Sequence, residues 1–462
     1  MEQNEKSLHA ALEAHAKKHE ISMHMPGHKE NSRLFDLYGA EKIDITEIDG
    51  FDDLHAPGGL LQELAERFAA LYGVKKAFLC VNGSSGGILA AVHAVCEPGS
   101  RILIARNCHR SVYNAAGLLR LHTDCFEPHF DQTAGVYTYC EASVIEKHLQ
   151  RTPQTKAVVL TSPTYEGVCS DLESIRAVCR RYGAALITDA AHGAHLRFSD
   201  GYTYFGDIVI TSLHKTLPAP TQTALVLCRN EKYQAALKKY MSIFQSSSPS
   251  YILLAGMSKC CSFLEQQQAL FTQMNACLNE LQQLPLKRLQ LNAFEPGTAL
   301  DRYKLNVSLR TAGRTPFALH RFLQEKNICC EMFTQDSLLL MPSVCTEKTQ
   351  LQAVADALCA FDRTCRYEEP APAEKPPMPE KVREMTDCAE PLPCPLEAAE
   401  GKICGETVCA YPPGSPILLP GERIGRAQIC WIRNAQKKHI AIVGSGRKLA
   451  DDIMIDKSGQ VE

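Results

Sequence analysis

Two chemically active side chains, a carboxylate and an amine, each follow a short apolar run. Asp189 comes directly after residues 185–188, and Lys215 follows shortly after residues 207–210. Such runs are typical of buried strands, so both side chains are expected at strand ends. An aspartate alone would be interpreted as a helix cap. Together the two could grip pyridoxal 5'-phosphate (PLP), because the carboxylate would keep the pyridine nitrogen protonated and the lysine would form a Schiff base with the aldehyde.

A phosphate cradle is also indicated. The segment Asn-Gly-Ser-Ser-Gly-Gly at 82–87 follows a predicted strand and opens a predicted helix. Backbone N–H groups at a helix start favour a phosphate, and Ser84, Ser85 and Gly86 would contribute to its binding. The segment lacks the endings of a nucleotide P-loop and of a dinucleotide fingerprint. Ser212 and His214, beside the lysine, could complete the phosphate site.

Three histidines have competing interpretations. His109 follows the predicted strand 102–105 and could stack on the pyridine ring, although a histidine in a surface loop is the plainer interpretation. His192 and His195 could form a metal site with Asp189. The presence of Lys215 favours the cofactor, and we expect no metal.

The elements that must position these residues alternate between helices and short apolar strands. Strands are predicted at 77–81, 102–105, 157–160, 185–188, 207–210 and 224–228, with helices at 86–95 and 172–182 among them. This pattern predicts an α/β fold with a mostly parallel sheet covered on both faces, whose ligands bind beyond the carboxyl ends of the strands.

The rest of the chain predicts smaller domains. A short amphipathic helix is predicted at 8–19 and a long helical region at 251–284. Strands at 304–309 and 337–341 with a helix at 316–326 predict a smaller α/β domain, and a Pro/Glu-rich linker follows it. The predicted parts are an N-terminal arm (1–30), a large cofactor-binding domain (31–285), a small α/β domain (286–366), the linker (367–384) and a C-terminal α+β module (385–462).

The composition excludes several classes of protein. The 462 residues carry a net charge of -3, which gives no reason to expect a nucleic acid or a membrane surface as partner. We find no signal peptide and no apolar stretch of membrane-spanning length, so the expected location is the cytoplasm. The 21 cysteines are odd in number and scattered, which favours reduced thiols over a disulfide framework.

The motifs, in this order, resemble the ornithine/lysine/arginine decarboxylase family of fold-type I PLP enzymes. The matching segments run over nearly the whole chain and lie at 24–29 (His-Met-Pro-Gly-His-Lys), 44–59, 82–86, 107–111, 163–167, 189–195, 212–217, 246–251, 411–416 and 420–422. In place of the family's common Asp-Glu-Ala-His, this chain has Asp-Ala-Ala-His at 189–192, which puts any role of that glutamate in doubt.

The resemblance implies roles for individual residues. Lys215 would form the Schiff base, Asp189 would pair with the pyridine nitrogen, and His109 and Ala191 would pack on opposite ring faces. Ser246 would reach the phosphate of a neighbouring subunit, because family active sites lie at a dimer interface. Larger family members carry an N-terminal wing used for decamers. Here the first motif begins near Met23, so a homodimer or a dimer of dimers is expected.

The expected reaction is decarboxylation of a basic amino acid to an amine and CO2, feeding polyamine metabolism. The proton returned to Cα would come from His214 or Lys215. Arginine and lysine are favoured over ornithine, and Glu166, Asp301 and Glu331 are candidate partners for a cationic substrate side chain. Two alternatives stay open: another fold-type I enzyme, an aminotransferase or an aldolase-type lyase, in which Arg310 could bind the substrate carboxylate, and a catalytically silent PLP-binding protein.

Overall fold

The structure, a computed structural model, describes residues 7–18, 22–411 and 414–457. Two compact units are present. Unit 1 contains the described residues up to Val95 together with Ala185–Gln273, and unit 2 contains Cys96–Ala184 together with the described residues from Met274 onward. Each unit is therefore built from two separate stretches of the chain.

The described residues form the following helices, short turns and strands. The helices are α1 (Leu8–Lys18), α2 (Leu60–Tyr72), α3 (Gly83–Val95), α4 (Arg110–Leu118), α5 (Ala142–Arg151), α6 (Leu172–Arg181), α7 (Leu196–Ser199), α8 (Leu213–Thr216), α9 (Gln234–Ile243), α10 (Tyr251–Gln266), α11 (Gln268–Gln282), α12 (Pro316–Glu325), α13 (Lys348–Asp362) and α14 (Arg426–Lys437). Short 3-10 turns lie at Ala40–Lys42, Glu231–Tyr233, Met385–Asp387 and Leu396–Ala398. The strands are β1 (Lys76–Cys80), β2 (Arg101–Ala105), β3 (His122–Phe126), β4 (Phe130–Asp131), β5 (Val136–Tyr137), β6 (Thr155–Thr161), β7 (Ala185–Asp189), β8 (Ile208–Ser212), β9 (Ala224–Cys228), β10 (Gln290–Leu291), β11 (Leu305–Ser308), β12 (Met332–Phe333), β13 (Ser337–Leu340), β14 (Pro391–Pro395), β15 (Val408–Tyr411), β16 (Pro416–Leu418), β17 (Ala441–Val443) and β18 (Asp452–Asp456).

Unit 1 contains the strands that end at the predicted lysine and aspartate. Its strand order is β1-β9-β8-β7. Every residue of β7, β8 and β9 is buried, which explains why their sequences are continuous apolar runs rather than alternating ones. Strands β7 and β8 are parallel, whereas β9 runs antiparallel to β8 and to β1. Only residues 213–223 separate β8 from β9, and a parallel return usually needs a crossover of about a dozen residues or more.

Helix α3 packs closely on this sheet. It contacts β8 and β9, and Gly87 faces the strands. A Cβ atom added at Gly87 would lie 2.8 Å from Val226 Cγ2 and 3.2 Å from Ile210 Cγ2. The absence of a side chain at this position therefore sets the distance between the helix and the strands.

Unit 2 contains several separate groups of strands and helices. Strands β6, β2 and β3 pair in parallel in that order. An antiparallel sheet in the order β10-β11-β13-β12 shares a core with α12 and α13. The C-terminal module has the order β16-β15-β17, the pair β14-β18 and helix α14 around a core of its own.

The predicted α/β class with a mostly parallel sheet is confirmed, since three of the five strand pairings described above for β1–β3 and β6–β9 are parallel. The predicted helical region 251–284 is observed as the two helices α10 and α11, which are separated where the chain leaves the helical conformation at Gln267. The predicted helix 8–19 is observed as Leu8–Lys18, and His19 lies outside the described residues. The predicted domain boundaries stay a prediction.

Two further properties of the chain concern membrane-spanning helices and cysteine residues. None of the described helices is both long and apolar enough to span a membrane. All cysteines lie among the described residues and none forms a disulfide, and exposed thiols occur at Cys329, Cys345 and Cys430.

We expect Gly87→Ala to lower the free energy of unfolding by about 1–3 kcal/mol, the usual cost of forcing an extra methyl group into a packed core. Gly117 is the matched control, since it also lies in a helix but an added Cβ would meet nothing within 4 Å. Gly117→Ala should be neutral or stabilising by up to about 1 kcal/mol. Urea unfolding of both variants measures the difference, and equal midpoints would contradict the described packing of α3.

Candidate active site

Asp189 is the last residue of β7, and its side chain is buried with 3% exposure. Burial raises the pKa of its carboxyl group, while the positive charge of Lys215 and the Ala191 N–H oppose that increase. The Ala191 N–H donates to Asp189 Oδ1 at 3.1 Å and fixes the orientation of the carboxylate. A buried, oriented carboxylate of this kind requires a cationic partner.

Lys215 lies in α8, the single helical turn that follows β8. Its Nζ atom is 2.9 Å from Nε2 of His192. A neutral imidazole with its hydrogen on Nδ1 can accept a proton from the lysine at this distance. His192 is therefore a candidate site residue, although the sequence pattern suggested it only as a metal ligand. Its spacing of three residues from Asp189, across a turn, was the available signal.

Ser212 is the last residue of β8 and the N-cap of α8. Its hydroxyl oxygen is buried and has no hydrogen-bond partner among the described residues, and the same holds for Thr211 and Thr216. A buried hydroxyl without a partner costs about 1–3 kcal/mol, which a bound oxyanion would offset. The His214 Nδ1 atom contacts Thr223 O at 2.9 Å, so Nε2 is the nitrogen that can meet a ligand. Burial lowers the pKa of His214, and Lys215 lowers it further, against the opposing effect of the Thr223 carbonyl.

The predicted phosphate cradle lies at the start of α3. Gly83 has a φ of +68°, a conformation that favours glycine, and its N–H donates to Gln222 O at 2.8 Å. Ser84 is half-buried and Ser85 is exposed in the first turn, where backbone N–H groups have no partner within the helix. Gly86 is buried, and an added Cβ would lie 3.0 Å from the Asn82 side chain.

Ser246 lies on an exposed part of unit 1. Its Oγ donates to Ser248 O at 3.1 Å, and its carbonyl contacts His55 Nε2 at 2.8 Å. These contacts fix the serine loop locally. Its role in a neighbouring subunit stays a prediction.

The donor set of unit 1 fits PLP. Asp189 provides a buried carboxylate for a protonated ring nitrogen, Lys215 provides the amine, and Ser212 provides a buried hydroxyl with no protein partner in the described part of the chain. Among the described residues no group of three or more His, Cys, Asp and Glu side chains could hold a metal ion. The interpretation of His192 and His195 as metal ligands therefore has no structural support.

His109 belongs to unit 2 and forms the N-cap of α4. The Ser111 N–H donates to His109 Nδ1 at 3.3 Å, and the Ser111 hydroxyl contacts the same atom at 2.9 Å. These contacts fix the ring at the start of the helix. Stacking of this ring on a cofactor stays a prediction.

The three candidate substrate carboxylates of unit 2 differ in exposure. Glu166 and Asp301 are buried, and an added Cβ at Gly167 would meet both Asp301 and the buried Lys304. Burial raises the pKa of Glu166, and Lys304 is among the groups that oppose the increase. Glu331 is exposed and accepts a hydrogen bond from the Tyr165 hydroxyl. Of the three, Glu331 is the carboxylate that a substrate can reach from solvent.

Arg310, the residue that an aminotransferase would use for the substrate carboxylate, is engaged in unit 2. Its Nη1 donates to Asp336 at 2.8 Å and its Nη2 donates to Ala371 O at 2.5 Å. These bonds tie the small antiparallel sheet to the linker. They give no support to the aminotransferase interpretation.

Comparison with known proteins shows that this chain matches the models of one protein family. The family model of the Orn/Lys/Arg decarboxylase major domain matches residues 6–296, and that of the Orn/Lys/Arg decarboxylase C-terminal domain matches residues 370–442. Uncharacterized protein YaaO of Bacillus subtilis (strain 168) is 30% identical, over 91% of this chain and 92% of that protein. Arginine decarboxylase of the same strain is 28% identical, over 94% of each chain. The crystal structure of the Francisella novicida lysine decarboxylase LdcF superposes with a TM-score of 0.84 at 15% identity, over 98% of this chain and 81% of that one.

We expect His192→Gln to shift the capture of added PLP to higher pH, because glutamine keeps a polar group near Lys215 but cannot take up its proton. Turnover should fall by about 100-fold, as for loss of a proton-transfer group. The measurement is the pH dependence of visible absorbance after PLP is added to cofactor-free protein. His93→Gln is the control, since His93 contacts the backbone of its own helix. An unchanged pH profile in His192→Gln would refute the role of His192.

Proposed function

The chain belongs to the Orn/Lys/Arg decarboxylase family and uses PLP to decarboxylate a basic amino acid, and we propose that arginine is its substrate. The observation that carries the choice of arginine is the match, over almost the whole chain, to bacterial relatives named arginine decarboxylase. Lysine is the second candidate and ornithine the third. The reaction breaks the bond between Cα and the carboxylate, releases CO2, and adds one proton to Cα to give the amine.

When bound, PLP supplies the electron sink that accepts the electron pair of the broken bond. Asp189 holds the proton of the pyridine nitrogen, since its buried carboxylate is oriented by Ala191 N–H. Ser212 and His214 bind the phosphate, together with Ser84, Ser85 and Gly86 at the start of α3. Lys215 would hold the cofactor through its aldehyde carbon.

Lys215 must lose a proton before its amine can act as a nucleophile. His192 Nε2, at 2.9 Å, is placed to take up that proton and to return it. Lys215, recharged in this way, is the preferred donor of the proton that Cα receives. His214 is the weaker candidate, because the shift of its pKa below the ordinary value leaves it neutral near pH 7.

Glu331 is proposed to recognise the cationic end of the substrate. It is exposed, and the Tyr165 hydroxyl already orients its carboxylate. A guanidinium group can bind a carboxylate through two parallel hydrogen bonds, whereas an ammonium group presents a point charge. Glu166 and Asp301 are assigned to the buried group around Lys304 instead.

The cellular setting is also proposed. The enzyme would act in the cytoplasm as a homodimer or a dimer of dimers, with Ser246 reaching the phosphate of a neighbouring subunit. The amine product would feed polyamine synthesis. The aminotransferase alternative is weakened by the ion pair of Arg310 with Asp336. A silent PLP-binding protein would keep Lys215 and Asp189 without turning over any of the three amino acids.

We expect the purified, PLP-loaded protein to release CO2 and agmatine from arginine, with kcat/KM higher than for lysine or ornithine. Gas release and amine chromatography with the three amino acids in parallel measure this. Lys215→Ala is the negative control and should reduce kcat by about 10⁴-fold or more. Faster release of cadaverine from lysine would refute the choice of arginine, and transfer of the amino group without CO2 would refute decarboxylation.

We expect Glu331→Gln to raise KM for arginine by about tenfold or more, the usual effect of losing a hydrogen bond to a charged group. Glu295→Gln is a matched control in the same unit, because Glu295 pairs with His129, whereas Glu331 pairs with Tyr165. Steady-state kinetics separate the two variants. If Glu331→Gln left KM unchanged while Glu166→Gln raised it, the substrate carboxylate would be Glu166.

A further inference from the structure

The C-terminal module of unit 2 contacts the turn that carries His109. This turn, residues 106–109, connects β2 to α4. The contacts come from residues 414–422 of the module, which include β16.

A buried ion pair makes the first contact. Arg106 Nη1 lies 2.5 Å from Glu422 Oε1 and Nη2 lies 2.9 Å from Oε2, with the two side chains 4% and 7% exposed. Burial alone would lower the pKa of Arg106, but the carboxylate of Glu422 raises it above its ordinary value. The two parallel bonds fix the orientation of both groups, which a single bond would not do.

Backbone groups of the C-terminal module fix the ion pair further. Arg106 Nη2 also donates to Ile417 O at 2.9 Å, and the Leu419 N–H donates to Glu422 Oε2 at 2.7 Å. Arg106 is therefore bound to the main chain within β16, and Glu422 is bound to the main chain of the residue that follows the strand. A shift of this part of the module would break several bonds at once.

Further contacts reach Asn107 and His109 of the same turn. Ser415 Oγ donates to Asn107 O at 3.0 Å. Gly414 has a φ of +92°, and a Cβ added there would lie 3.7 Å from Cδ2 of His109. The main chain of the C-terminal module thus approaches one side of the imidazole, while Ser111 holds Nδ1 from α4.

We propose that the C-terminal module is a positioning element for His109. The Arg106–Glu422 ion pair and the Ser415–Asn107 hydrogen bond hold the turn 106–109, so that the imidazole is presented in one orientation. The proposal rests on the role of His109 in cofactor binding that was inferred from the sequence. Ser415 and Glu422 act through the turn and are positioning residues rather than catalytic ones.

A double-mutant cycle on the full-length protein tests the proposal. PLP is titrated into cofactor-free wild type, Ser415→Ala, His109→Ala and the double variant, and its dissociation constant and visible circular dichroism are measured. We expect Ser415→Ala to weaken PLP binding by about three- to tenfold, within the range of one hydrogen bond. His109→Ala should weaken it more, and the double variant should bind no more weakly than His109→Ala alone, because both changes act through one ring.

Two further variants test whether loss of the buried ion pair, rather than loss of any ion pair of the C-terminal module, weakens PLP binding. Glu422→Gln should weaken PLP binding and lower the melting temperature, because it leaves Arg106 buried beside an uncharged partner. Glu397→Gln is the matched control, since Glu397 pairs with Arg433 on the surface of the same module, and PLP binding should stay unchanged.

Each other outcome has a distinct meaning. Weaker binding in His109→Ala with unchanged binding in Ser415→Ala would overturn the positioning role and leave the role of His109 standing. Additive effects of the two changes, or a lower melting temperature of Ser415→Ala with unchanged PLP binding, would overturn it too. Unchanged PLP binding in His109→Ala would overturn both the positioning role and the role of His109. If wild type bound PLP normally but released no CO2, the proposed reaction would be refuted, while the binding results would still decide the positioning role.

Discussion

The burial of Asp189 is the constraint on which the candidate active site depends. A carboxylate at 3% exposure is costly unless a positive charge lies nearby, and Lys215 supplies that charge. The parallel register of β7 and β8 sets Asp189 beside Ile210, and the chain then reaches Ser212 and Lys215 within five residues. The pairing of β7 with β8 therefore brings the carboxylate, the hydroxyl and the amine to the same edge of the sheet, where both strands end.

This constraint explains why so much of the site could be predicted from sequence. The apolar runs before Asp189 and Lys215 are continuous because both faces of their strands are covered, so the strands and their carboxyl ends are evident without a structure. The phosphate cradle was predicted from its glycines and serines, whose positions at the start of a helix are local in sequence. Local sequence patterns of this kind were sufficient to predict most of the candidate site residues of unit 1.

Interactions between distant side chains could not be predicted in this way. The contact of His192 with Lys215 depends on how a turn after β7 folds back, and the ion pair of Arg310 with Asp336 joins residues that no pattern connects. Burial was equally hidden, since Glu166 and Glu331 are both acidic residues in turn-like sequences, yet one is enclosed and the other is exposed. The break between α10 and α11 at Gln267 has no glycine or proline to mark it.

The distribution of the thiols allows selected surface positions of the protein to be labelled with a reporter group. Burial raises the pKa of many enclosed cysteines, for example to about 12 at Cys140 and Cys261, so little thiolate is present there near neutral pH. Cys329 and Cys430 are exposed, and Cys329 lies two residues before Glu331. A fluorophore attached through a maleimide would therefore select a few surface positions, and one attached at Cys329 would sense the environment of that carboxylate.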